Sequence, residues 1–134
     1  MSFSNATETT IAAKLFTGTA ISWDAATELD IHLHTADPGE AGNSSTSEAT
    51  YTSYAAVSVN RSTADWTVTG NTTTNDNLIQ FPQATGGTNT ITHVSITPKS
   101  STEIIVSGAL SSSLAVSNGI QPQFAASSLQ IVLD

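Results

Sequence analysis

The side chains of this 134-residue sequence whose types and spacing could do chemistry lie between residues 32 and 40, where His32-x-His34 is followed by Asp37 and Glu40. On a β-strand, residues two apart share a face, so both imidazoles could reach one metal ion. His93 lies in a separate candidate strand and could complete such a site only if the tertiary fold brought it there. The competing reading is structural: both histidines sit on the polar face of a half-buried strand and hydrogen-bond to their neighbours. That reading is favoured, because no nearby motif supplies the third ligand. His32 and His34 stand only as weak metal candidates, and no metal, cofactor or catalytic residue is assigned.

Other chemistry finds less support. Serines are so frequent that any Ser, His and Asp can be grouped, and no Gly-x-Ser-x-Gly elbow occurs. Gly86-Gly87 reads as a turn and not as a phosphate-binding fingerprint. The 11 scattered acids define no carboxylate pair, and the absence of cysteine removes thiolate metal sites and disulfides. Trp66 falls in a candidate strand and reads as core, whereas Trp23 is the better candidate for an exposed or interfacial ring. The order His-x-His then carboxylate is similar to the first metal motif of the cupins, which would imply a metal-dependent enzyme. Neither the upstream glycine nor a second His-bearing motif is present. The expectation is a chain that is not an enzyme.

The elements that must position these residues are mostly strands. Leu29, Ile31 and Leu33 alternate with Asp30, His32 and His34, the period of a half-buried strand, and Asp37-Pro38-Gly39 ends it with turn chemistry. Residues 40–50 form a polar stretch without periodicity. Further short runs follow at Tyr54–Val59, Trp66–Val68, Leu78–Phe81, Ile91–Thr97, Ile104–Val106, Leu114–Val116 and Leu129–Leu133. Gly70-Asn71 and Asn118-Gly119 are hairpin dipeptides, and Pro122 confines its strand to a sheet edge. About eight short strands at regular spacing predict an all-β antiparallel sandwich or jelly-roll-like barrel over residues 29–134. Residues 1–28 read as an N-terminal helix or arm. Asn5 with Glu8 has the form of a capping box, Ile11, Ala12, Leu15 and Phe16 make one stripe, and Gly18 stands where a C-cap belongs. The helix, at roughly 6–17, packs either on its own domain or on a neighbouring subunit.

Only 10% of residues are charged, with 11 acidic against 3 basic and a net charge of −8. Lys14, Arg61 and Lys99 form no cluster, which argues against a nucleic-acid partner. No apolar run approaches a membrane span, and the N-terminus lacks the basic-then-apolar order of a signal peptide. The chain therefore reads as cytosolic when made.

Leu33-His34-Thr35-Ala36-Asp37-Pro38-Gly39-Glu40-Ala41-Gly42 resembles a signature of small proteins encoded among bacteriophage structural genes. The resemblance continues through Tyr51–Ala55, Phe81–Gly87, Thr92–Ile96, Ser107–Leu110, Leu114–Ile120 and Phe124–Ala126, covering most of the chain from residue 29. It implies a virion component and carries no catalytic role. Such proteins are labelled head decoration (cement), minor tail or tail fibre proteins. The first expectation is a decoration protein on the capsid surface, a homotrimer bound to the major capsid protein at three-fold positions. The alternative is a tail, collar or fibre-base component in contact with tail proteins, with a host-receptor or carbohydrate-binding role.

Overall fold

The alternation that begins at Leu29 organises the molecule, because it makes the strand against which two others pair. The structure, a computed structural model, describes residues 1–133. Asp134, the last residue of the expected 29–134 domain, lies outside the described residues. In chain order the elements are β1 (Ser2–Phe3), α1 (Asn5–Thr17), β2 (Glu28–His34), β3 (Val57–Asn60), β4 (Trp66–Thr69) and β5 (Thr72–Asn75). They continue with β6 (Ile79–Gln80), β7 (Asn89–Pro98), β8 (Val106–Val116), β9 (Gln123–Phe124) and β10 (Gln130–Val132). All pairings are antiparallel. One sheet runs β1-β8-β7-β2-β3, a second β10-β5-β4, and a third β6-β9.

The expected all-β sandwich is the observed class. Ile31 and Leu33 of β2, with Ile91, Val94 and Ile96 of β7, form one core with Trp66, Ile79 and Ile131 from the smaller sheets and with Phe81 and Leu129 flanking them. Each such side chain contributes about 1.5–3 kcal/mol by leaving water. The hairpin expected at Gly70-Asn71 is present: Thr69 pairs with Thr72, and Gly70 takes φ 63°, the left-handed value that a primed turn requires.

Several expectations need correction. Asn118-Gly119 makes a turn but no hairpin, because the Gly119 N–H bonds to the Ala84 carbonyl (2.8 Å) and the returning β9 pairs with β6 instead of β8. Ile104–Val106 and Leu114–Val116 do not make two separate strands. Val106 and Leu114–Val116 belong to the single strand β8, interrupted by a bulge between the pairs Ile91–Leu114 and His93–Ala109. The Asn5–Glu8 capping box is replaced by Ser4, whose Oγ accepts the Thr7 N–H at 3.2 Å. Residues 2–3 also join the main sheet beside β8, so the chain leaves that sheet directly into α1.

Candidate functional site

Two regions could carry function: the histidines of β2, and the face on which α1 emerges. At the end of β2 both faces are covered, with Ile31 and Leu33 on the core side and His32 and His34 beneath residues 43–50. The polar stretch without periodicity is therefore no free loop. The Ala49 N–H bonds to the Leu33 carbonyl (2.8 Å), the Thr35 N–H to the Ser47 carbonyl (2.8 Å), and His34 bridges Glu48. The expected half-buried strand with an open polar face is corrected here: His34 is fully buried and His32 nearly so.

Every ring nitrogen of the two histidines has a partner. His32 Nδ1 donates to Glu48 Oε1 (2.7 Å), and its Nε2 shares a hydrogen bond with Thr97 Oγ1 (3.2 Å). His34 Nδ1 must carry its proton, because it meets the Thr46 carbonyl (2.9 Å), so Nε2 accepts from Ser95 Oγ (2.7 Å). Tyr54 closes the network by accepting the Leu33 N–H (3.0 Å) and donating to Glu48 Oε1 (3.1 Å). Burial holds the His34 imidazole below its ordinary pKa, against the opposing effect of the Thr46 carbonyl, and burial pushes the Tyr54 phenol upward.

The remaining members of the sequence constellation lie outside this network, and Asp37, Glu40 and His93 line a separate open pocket. Asp37 Oδ1 accepts the Gly39 N–H (2.9 Å) in an Asx turn, and Glu40 Oε1 accepts from Ser2 Oγ (3.1 Å). His93 pairs with His34 across β2 and β7, but its Nδ1 is bonded to Thr92 Oγ1 (2.8 Å). Among the described residues, no three His, Asp or Glu side chains converge as a metal ion requires. The Asp37–Gly42 turn is also tight: a Cβ on Gly42 would lie 2.0 Å from the Pro38 carbonyl oxygen. The segment 33–42 thus has a structural reason at each end, a locked strand and a turn closed by glycine.

The second region has the opposite character. Ser4 and Thr7 fasten the start of α1, the Ser4 N–H to the Ile105 carbonyl (3.1 Å) and both hydroxyls to the Ile104 carbonyl. Beyond that anchor every residue from Lys14 to Ala20 is exposed, including Leu15 at 72% and Phe16 at 86%. Trp23 is half-buried beneath the Arg61 guanidinium, 5.6 Å from the ring centre, so the exposed aromatic ring is Phe16 and not Trp23. The stripe was visible in the sequence; that the domain leaves it uncovered was not. Near the root of α1, Phe3, Leu29, Trp66, Val68, Ile131 and Leu133 line an open apolar cleft of about 390 Å³, with Arg61 among its lining residues. Val68 is 69% exposed there, although its strand neighbour Trp66 is core.

No described helix is long and apolar enough to cross a membrane. None of the curated proteins compared with the chain matches it. A family model does match, described as podophage GP4 fiber I protein gp80, and it spans residues 2–132. With nearly the whole sandwich inside that match, the chain belongs to the family of the podophage GP4 fiber I protein gp80 and is a structural protein of the phage virion.

Proposed function

We propose that this chain is a non-enzymatic component of the fibre apparatus of a podophage tail, acting by protein–protein contact with tail proteins and with other copies of itself. The observation that carries this reading is the match of residues 2–132 to a family described as a fibre protein. The chemistry of the fold agrees with it. The His32, His34 and Glu48 cluster lies under residues 43–50 with every imidazole nitrogen hydrogen-bonded, an arrangement that holds the strand end in place and suits a structural role. The apolar side chains that a contact surface needs are exposed instead.

The sequence-led preference for a capsid decoration protein on the major capsid protein takes second place. It keeps one supporting observation, the projecting helix, which suits a bridge to a neighbouring subunit on a head as well as on a tail. Immunogold electron microscopy of intact particles, with antibody against this chain, separates the two. Gold confined to the tail is the expected result. Gold spread evenly over the head would replace the fibre reading with decoration.

A further inference from the structure

A helix of 13 residues is marginal in water unless an apolar face packs against something, and α1 finds little of that in its own domain. Its one buried residue is Thr7. Ile11, half-buried one turn after Thr7, begins a stripe that continues round the helix through Ala12 to the exposed Leu15 and Phe16. A projecting helix with exposed Leu and Phe is a knob without a hole. The same chain contains a hole without a knob, the apolar cleft between Leu29 of β2, Trp66 and Val68 of β4, and Ile131 of β10.

Charge matches the two surfaces. A chain of net charge −8 repels its own copies, yet α1 carries Glu8 and Lys14 and is neutral as a segment. Glu8 lies three, four and seven residues before Ile11, Ala12 and Leu15, so it continues the apolar stripe toward the N-terminus. Arg61 is the charged residue among those lining the cleft, and its fork, which bonds Asp24 and nearby carbonyls, keeps donors to spare. A helix laid in the cleft would bring an acidic side chain to a basic margin.

We propose that α1 of one copy seats Ile11, Leu15 and Phe16 in the cleft of a second copy, with Glu8 facing the second copy's Arg61. This helix-in-groove contact is heterologous, since it joins two different surfaces of the same chain. It closes as a reciprocal pair or as a ring, and a homotrimer would use it three times. The proposal rests on the reading of the chain as an assembling structural protein, and it names the surfaces that assemble.

Sedimentation velocity of the purified full chain tests it. The wild type is expected to associate reversibly. Leu15→Asp with Phe16→Asp should weaken association at least about tenfold, as loss of central apolar anchors does. Val68→Asp, which changes only the cleft at an exposed position, should do the same. An equimolar mixture of the two variants should regain mixed species, because each pair retains one intact helix and one intact cleft. A wild type that stays monomeric overturns the proposal. So does association that is lost with the helix variant but untouched by Val68→Asp, since helices would then pack on helices. Circular dichroism reports whether each variant folds, and Leu133→Asp replaces Val68→Asp if that one does not. Particle labelling is a separate measurement, so a wrong location on the virion and a wrong interface would be told apart.

Discussion

The two regions invert the usual rule of burial in opposite directions. Under residues 43–50 the molecule buries polar side chains, His32, His34, Ser95 and Thr97, and partners their polar atoms. On α1 and at the cleft it exposes apolar ones, Leu15, Phe16 and Val68, and covers none. A buried polar group and an exposed apolar group are each informative, because neither forms by default. The difference teaches where function lies. The residues that look chemical hold the end of β2 and the segment over it in place, and residues that look like ordinary core material are left open to solvent, as the proposed contact between copies requires.

Breaking the buried network should have the largest effect. His34→Ala strands the Thr46 carbonyl and the Ser95 hydroxyl and leaves a cavity, for an expected loss of about 3 kcal/mol in urea-induced unfolding. A loss below about 1 kcal/mol would mean that the network is slack and the contrast between the regions is overstated. Gly42→Ala comes next. Its Cβ would collide with the Pro38 carbonyl, so the turn must open and its Gly42-to-Gly39 hydrogen bond (3.1 Å) must stretch. We expect about 2 kcal/mol from this strain, read as a lower Tm. An unchanged Tm would show that the turn yields freely and does not anchor the segment that follows β2.

How far these regions were legible in the sequence depends on what makes each of them. β2 was legible because a period of two survives in Leu29, Ile31 and Leu33, and the β4–β5 turn because Gly70-Asn71 imposes its own geometry. β5 was not, since Thr72-Thr73-Thr74 shows no apolar alternation and is set by pairing with β4 on one side and β10 on the other. Residues 43–50 were opaque for a related reason. They are placed by hydrogen bonds to Leu33, Thr35, His32 and His34, partners that carry no local signal. The histidines were correctly singled out as paired on one strand face, but a sequence cannot show that Glu48, Thr46, Ser95 and Thr97 would occupy their nitrogens. For α1 the pattern gave the span to within a residue and left open which surface covers the stripe.

A third prediction uses pH to separate the regions. Burial lowers the pKa of His34 in the folded state relative to an ordinary value near 6.5. The unfolded chain therefore binds the proton first on acidification. The contribution is fully present above about pH 6.5 and is lost as pH falls toward the depressed folded value, with a slope of at most about 1.4 kcal/mol per pH unit. Around His34 the relevant charges are Glu48 from the covering segment, His32 on β2 and His93 on β7. Urea midpoints should fall between pH 7 and pH 5 in the wild type and fall less in His34→Gln, about 1 kcal/mol separating the two trends. Equal slopes would assign the acid sensitivity elsewhere. No such dependence is expected from the open region, whose stripe beyond Glu8 is uncharged.

The smallest expected effect is the sharpest test of the comparison. Phe16→Ser removes a large aromatic side chain, and in a packed helix such a truncation costs on the order of 3–5 kcal/mol. At 86% exposure Phe16 has little packing to lose, so the stability of the dilute, unassociated chain should change by no more than about 0.5 kcal/mol. The anchor of α1 lies at Ser4 and Thr7, two turns or more before the substitution, and their bonds to the Ile104 carbonyl remain in place. A loss above about 2 kcal/mol in dilute solution would mean that the stripe is covered by its own domain. The helix would then belong with the buried region, and its apolar face would no longer be available to a second copy. A near-zero change at low concentration, growing as the chain is concentrated, is the result that ties the uncovered stripe to assembly, because only the associated state then gains from Phe16.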